Sequence, residues 1–442
     1  MNRNILKYLD SWKTKPTRRP MLLRGARQVG KTWVVRQHGR SYQHFIECNL
    51  DERPEYARVI SELYGNPERL IQALQDLTGI PVIPGKSLLF LDEIQDTPEA
   101  LKALRYFKEQ LPAMHVIATG SLLEFAIKEQ SFPVGRVEFA HLFPLNFSEY
   151  LEAKGRADLV ERISNMGLKN PPDRSTHDML IHECAAYLLL GGMPEVMNAH
   201  VNGASTQECE DILQIIMATY REDFYKYASR AKVTQLRKIF DNTPRLLGQK
   251  FKFSNIDREA RSRDLGQALS LLVDAGIVYK AIHTSADGIP ISAQEKPEKF
   301  KAFMVDIGIC SRILGLRLSD IFNSEKRINH LVAGSLAEQF VAQELVSMTA
   351  PNQRPSLHYW HREAKSSQAE IDFILEHEQH IRPIEVKSST GGAMKSLHLF
   401  LSEKRLHAPY GIKISQGPWA LKEQIYSLPF YAIPHLERGF DV

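Results

Sequence analysis

The chain runs to 442 residues, 43% of them apolar and 24% charged, with 25 glycines and 23 prolines spread along it. That length exceeds one ordinary core and implies roughly three domains of about 150 residues, and the composition excludes collagen-like, low-complexity and disordered classes. A formal net charge of +4 permits a nucleic-acid partner without requiring one, because general polyanion binders are more lopsided.

In chain order, the apolar run PMLLR (Pro20 to Arg24) predicts a strand, GARQVGKT a glycine loop, and TWVVRQHG a helix that Gly39 caps. A strand at HFIECNL follows, then a helical stretch to about Leu77, the turn GIPVIPGK and a buried strand at SLLFLDE. Pro98 opens a helix with Leu101, Leu104, Phe107 and Leu111 at helical spacing, before the strand HVIATGS. Alternating strands and helices predict a parallel sheet with helices on both faces. Beyond a strand near Arg136 to Phe143 the pattern turns helical to about Tyr227, as a helical lid would. Three short helical patterns from Val233 to Lys280 and an alternating stretch have the layout of a winged helix-turn-helix. Arg258, Arg261 and Arg263 there suit phosphates or an interdomain contact. The tail offers the helix GSLAEQFVAQELV, strands at SLHYWHR, AEIDFILE and IRPIEVKSS, a helix at LHLFLSEK, and strands at YGIKIS and QIYSLPFYAI. The expected fold class is therefore multidomain α/β: a P-loop parallel-sheet domain over 1–145, a helical lid over 146–228, a winged-helix-like domain over 229–298 and a mixed α/β domain over 299–442.

Cys48, Cys184, Cys209 and Cys310 form no CxxC pair and read as buried thiols in a reducing compartment. No run approaches the ~18 apolar residues of a membrane span, and the N-terminus lacks an apolar leader core. A cytoplasmic location with no membrane partner is expected.

The loop Gly25, Ala26, Arg27, Gln28, Val29, Gly30, Lys31, Thr32 matches GxxxxGK[ST] in its strand–loop–helix context. Its backbone N–H groups can cradle the phosphates of ATP, Lys31 can neutralise the β- and γ-phosphates, and the Thr32 hydroxyl can hold Mg²⁺. Asp92 and Glu93 end the strand SLLFLDE, where open α/β sheets bind ligands. Asp92 is expected to position Mg²⁺, and Glu93 to orient the attacking water. Thr119 and Ser121 either sense the γ-phosphate or cap the following helix. Arg136 is either an arginine finger toward a neighbouring subunit, which would imply a homo-oligomer, or a surface arginine.

Taken together, GARQVGKT, LFLDEIQ, ATGS, VGR, FPLNFSEYL, GGMPE, VDIGI, GSLAEQFVAQEL, AEIDF and IEVKSS resemble prokaryotic AAA-type ATPases. Members of that family carry a C-terminal domain of unknown function that looks like the PD-(D/E)xK nuclease fold. The resemblance covers nearly the whole chain; the P-loop set is shared with many ATPases, and its combination with GGMPE and the tail motifs is far more specific. It implies a restriction-endonuclease-like tail whose signature falls on Glu338, Asp372, Glu385 and Lys387. The residue types suit that role: carboxylates from adjacent strands can bind Mg²⁺ through oxygen, and a helix carboxylate can complete the set. Lys387 shares the strand face of Glu385 and can position a water or stabilise developing charge. Glu370 shares the face of Asp372 and is an alternative ligand. In IEVK, Ile384 and Val386 mark one face as buried, which would leave Glu385 and Lys387 exposed on an ordinary strand. His358, His361, His377 and His380 read as solvated, since their spacings do not converge on one face.

The sequence thus predicts a Mg-ATP-hydrolysing AAA-type ATPase coupled to a DNA- or RNA-directed, metal-dependent nuclease module. The alternative is a nucleotide-controlled regulatory protein whose nuclease-like domain is catalytically silent.

Overall fold

A computed structural model describes residues 2–120, 135–227, 230–317, 334–363, 369–389, 391 and 394–437. Two compact units emerge, one built on Met1–Phe143 with the short segments Asp274–Gly276 and Thr349–Arg354, the other on the remainder.

The first unit is a five-stranded sheet in the order β2-β3-β4-β1-β5, comprising β1 (Met21–Arg24), β2 (His44–Asn49), β3 (Ser87–Asp92), β4 (His115–Thr119) and β5 (Glu138–His141). All four pairings are parallel. β1, β3 and β4 are buried at every position, as expected of strands covered on both faces, so their sequences read as continuous apolar runs. Helices α3 (Pro54–Leu63), α4 (Pro67–Thr78) and α5 (Pro98–Gln110) each open on proline, whose fixed φ suits a first helical turn. They place Ile60, Leu70 and Leu104 in one core with Leu89, Leu91 and Val116 of the sheet.

The second unit holds an eight-stranded mixed sheet in the order β12-β13-β11-β10-β9-β8-β6-β7. Its strands are β6 (Val278–Thr284), β7 (Glu295–Met304), β8 (Leu357–His361), β9 (Glu370–His377), β10 (His380–Val386), β11 (Gly411–Ser415), β12 (Ala420–Lys422) and β13 (Ile425–Pro429). The three tail strands read from SLHYWHR, AEIDFILE and IRPIEVKSS are β8, β9 and β10. Where the winged-helix layout was expected, helices Arg230–Asn242 and Ser262–Asp274 precede a β6–β7 hairpin. That hairpin does not stand alone, because β6 pairs in parallel with β8 and extends the large sheet. The expected boundary at 298/299 falls inside β7.

The helices expected as a lid lie in this second unit too. Their placement depends on Asp306, which is fully buried and accepts hydrogen bonds from the backbone N–H of Gly192 at 2.6 Å and Ile309 at 3.1 Å. A Cβ on Gly191 would meet the Asp306 carboxylate at 2.2 Å, and one on Gly192 would meet the Leu145 carbonyl oxygen at 2.0 Å. Only glycine lets the chain pass so close. Burial pushes the Asp306 carboxyl up to about 6, against the pull of these backbone donors. Glu344, on the helix Gly334–Met348, accepts from the Phe147 N–H at 2.9 Å, and its burial raises its carboxyl to about 8.

Glu344 therefore keeps its proton in the folded chain over a range in which the unfolded chain loses it. Because the folded value lies above the ordinary 4.5, stability should fall as pH rises from about 5 to about 8, by roughly 3–4 kcal/mol. Glu344→Gln should remove this part of the slope and leave the variant more stable than the wild type at pH near 8. Urea midpoints measured across that range check it, and parallel slopes in the two proteins would contradict it.

Candidate functional site

The glycine loop leaves β1 and enters α2 (Lys31–Gly39) at its first residue. Gly25 has φ 149°, and a Cβ there would meet the Leu142 carbonyl oxygen at 2.2 Å; Gly30 is left-handed at φ 95°. Ala26 and Val29 are buried, and Gln28 is left-handed at φ 65°. Arg27 also lies in the loop. A residue missing from the sequence reading, Arg3, is buried and donates from its guanidinium to the Val29 carbonyl at 3.1 Å, fixing the loop from the N-terminal segment. The Lys31 ammonium folds back on its own loop and donates to the carbonyls of Gly25 at 2.9 Å and Ala26 at 3.0 Å.

The Thr32 hydroxyl donates to Asp92 Oδ2 at 2.8 Å. Thr119, at the end of the adjacent strand β4, donates to Asp92 Oδ1. Parallel pairing of β1, β4 and β3 brings these three groups to one sheet edge. Burial raises the Asp92 carboxyl, and the two threonine hydroxyls oppose that rise. A hydroxyl beside a carboxylate at the mouth of a glycine loop is the oxygen pair a phosphate-bound Mg²⁺ takes, so these residues fit that ion. Glu93 sits just past the strand with a left-handed backbone, φ 55°, a conformation costing about 1 kcal/mol or more outside glycine. Gln95 donates to its carboxylate at 2.8 Å. Thr119 thus contacts Asp92 directly. Arg136 pairs with Glu109 of α5 and is 46% exposed. Ser121 lies outside the described residues.

A second polar cluster lies in the eight-stranded sheet. Lys301, on β7, was not singled out by the sequence, yet its side chain is fully buried. It crosses the Tyr359 ring of β8, with Nζ 5.6 Å from the ring centre. Its ammonium then meets Glu370 at 2.7 Å, Glu338 at 3.0 Å and Asp372 at 3.3 Å. Burial works to lower the Lys301 ammonium, but Glu338, Asp372 and Glu370 outweigh it and raise the lysine above its ordinary value. Glu338 is pushed up to about 8 by burial and then by Asp372, against the pull of Lys301.

Asp372 Oδ2 accepts the Val386 N–H at 2.8 Å, and Lys387 pairs with Glu385 at 2.6 Å. Glu385 is not on the exposed face that strand alternation implied: β10 is buried from Ile381 to Val386, and both Gly334–Met348 and Lys395–Glu403 pack on it. Glu385 Oε2 is buried without a hydrogen-bond partner among the described residues, and burial raises this carboxyl despite Lys387. An orphaned carboxylate oxygen near Asp372 fits an added cation there, whereas Glu338 and Glu370 already face an ammonium.

The histidines expected in solvent divide. His380 is exposed, but His358 is buried and contacts Glu295 at 2.6 Å. His377 Nδ1 lies against the Arg382 guanidinium at 2.5 Å, and His361 is half-buried.

Residues 17–151 match the family model of the AAA domain. With the loop, Thr32 and Asp92 in place, the first unit has the P-loop architecture of the AAA domain that this stretch matches. Residues 181–320 and 333–433 match two domains of unknown function, DUF8612 and DUF4143. No curated protein matches the chain. Among solved structures, a Walker-type ATPase of Pyrococcus abyssi is similar at 16% identity over 71% of this chain and 95% of that one, with a TM-score of 0.46. A signal-transduction ATPase of Pyrococcus horikoshii with a tetratricopeptide repeat sensor is similar at 13% identity over 78% of this chain and 47% of that one, TM-score 0.28. The Orc1 protein of Aeropyrum pernix, solved with DNA, is similar at 15% identity over 71% and 90%, TM-score 0.26. Likeness at this level carries no property of those proteins to this chain. No helix among the described residues is long and apolar enough to cross a membrane.

Replacing Lys301 by Met keeps most of its volume but leaves three carboxylates without their ammonium. Loss of one partner from a buried ion cluster costs about 3–5 kcal/mol, and Lys301→Met should lower the unfolding free energy of the second unit by that amount, read as a lower urea midpoint. An unchanged midpoint would mean the ammonium does not compensate the carboxylates.

Proposed function

We propose that this protein hydrolyses Mg-ATP in its first unit and that hydrolysis controls a nucleic-acid-directed second unit. The observation that carries the ATPase half is the Thr32–Asp92 contact of 2.8 Å at the mouth of the glycine loop. Bound Mg-ATP would supply the phosphoanhydride and a divalent charge that neutralises its phosphates. The loop N–H groups from Ala26 to Thr32 hold phosphate oxygens, and Lys31 leaves the Gly25 and Ala26 carbonyls for them. Thr32 and Asp92 position the ion, with Thr119 holding Asp92 in its rotamer. Glu93 orients the water and takes its proton. Arg136 exchanges Glu109 for a neighbouring subunit's phosphate in a homo-oligomer. A cytoplasmic setting agrees with four free, buried cysteines.

In the second unit, Asp372 and Glu385 hold a divalent ion and Lys387 faces the scissile phosphate of DNA or RNA. The orphaned Glu385 oxygen supports this assignment. Lys301 supports the second reading, a catalytically silent domain used as a regulated docking surface, because a fixed internal ammonium already neutralises the Glu338 side of the cluster.

Three measurements separate these claims. Lys31→Ala should weaken ATP binding by about tenfold or more in calorimetry. Glu93→Gln should retain ATP and lower turnover by about 100-fold or more; turnover equal to wild type would remove Glu93 from the chemistry. Separately, the wild-type protein with Mg²⁺ or Mn²⁺ should cut single-stranded, duplex or structured nucleic acid, and Asp372→Asn should abolish cutting. Absence of cleavage with every substrate, with and without ATP, would favour the silent reading.

A further inference from the structure

On the same large sheet a different kind of cluster forms from residues far apart in the chain. His283 on β6 lies opposite Tyr359 of the parallel strand β8, so His361, two positions on, falls on the same face. The two imidazole centres are 4.2 Å apart. Glu363 follows two residues after His361, and one ligand atom from each of His283, His361 and Glu363 lies within 4.8 Å of the others.

We propose that His283, His361 and Glu363 form a binding site for a divalent transition-metal ion of the Zn²⁺ type.

The hydrogen bonding of His283 is that of a ligand. Its Nε2 is 3.2 Å from the His361 carbonyl oxygen, an acceptor only, so Nε2 carries the proton and donates it. Nδ1 is left with its lone pair. Metal-binding histidines are commonly oriented this way, the second ring nitrogen donating to a backbone carbonyl. His283 is 1% exposed, and its Nδ1 has no hydrogen-bond partner among the described residues; the same holds for the buried Nδ1 of His361. Leaving a buried acceptor unpaired costs about 1–3 kcal/mol, and a metal ion satisfies both nitrogens at once. Burial lowers both imidazoles, His361 to about 4, which leaves them in the neutral form that binds metal.

Glu363 contributes the charge. Lys296 and Lys299 each pair with one of its oxygens and hold it ionised, its carboxyl lowered to about 2 by those two hydrogen bonds. Both lysine side chains are partly exposed, at 35% and 40%, so solvent screens the pairs and the lysines can turn away. A carboxylate has about four acceptor positions, enough for lysine and metal together. Ligands at about 2.1 Å from a tetrahedral ion stand about 3.4 Å apart, so closing the present cluster needs movements on the order of 1 Å, which exposed Glu363 can supply. Two imidazoles and one carboxylate select a borderline transition ion over Mg²⁺, which prefers oxygen alone, and they leave a coordination position for water or a substrate group.

The test uses the full chain, freed of metal and nucleotide and titrated with Co²⁺ in excess Mg²⁺ to fill the oxygen sites. The expected result is one Co²⁺ per chain with imidazole-type visible absorption, bound at least tenfold more weakly in both His361→Ala and Glu363→Gln. These positions avoid the buried His283, and circular dichroism checks that each variant is folded. No Co²⁺ uptake by the wild type, or full affinity in either folded variant, would overturn the site.

Discussion

Asp306 is buried completely yet carries a carboxyl, and the second unit is arranged around supplying it with donors. Gly192 and Ile309 give it backbone N–H groups, and they can reach it only because Gly191 and Gly192 have no side chains to collide with Asp306 and Leu145. GGMPE and VDIGI, more than 100 positions apart in sequence, are therefore two halves of one contact. The same requirement recurs at Glu344 against the Phe147 N–H, and Gln343 accepts the Ile307 N–H while donating to Tyr187 at 2.7 Å. Each contact ties the helices after Pro144 to the helix Gly334–Met348 or the segment before it. A buried acceptor left without its donor costs more than an ordinary hydrogen bond contributes, so these contacts specify one arrangement of the helices.

This explains which parts of the architecture could be read from the chain. The glycine loop was legible because strand, loop and helix are contiguous and each residue type has a local reason to be there. β8, β9 and β10 were legible as apolar runs, and so were the carboxylates that interrupt them. Lys301 was hidden: KFKAFMVD reads as an ordinary strand, and its partners Glu338 and Asp372 lie 37 and 71 positions on. Only the order β9-β8-β6-β7 brings a long side chain from β7 over β6 and β8 to the carboxylates of β9. His283 and His361 were hidden for the same reason, since the parallel register of β6 on β8 decides their meeting. Spacing within one strand carries no such information. The exposed face that an ordinary alternating strand would give Glu385 does not occur, because alternation assumes a sheet with one wet face, and β10 is buried from Ile381 to Val386.

The two charged sites differ in what their lysines can do. Lys31 rests on two neutral carbonyls of its own loop. Exchanging those for phosphate oxygens replaces neutral hydrogen bonds by charge-assisted ones of roughly twice the strength. The first site is thus built to change partners. Lys301 has no such freedom, because withdrawing it would uncover Glu338, Glu370 and Asp372 together. Among the described residues, four carboxylates, counting Glu385, face the two ammonium groups of Lys301 and Lys387, and burial, with Asp372 adding to this surplus of negative charge, raises Glu338 and Glu385. A divalent ion can relieve the surplus only where an oxygen is unclaimed, at Glu385 Oε2 beside Asp372. The fixed ammonium therefore confines any metal chemistry in this cluster to the Asp372–Glu385 side, and makes Glu338 a partner of Lys301 before it can be a ligand.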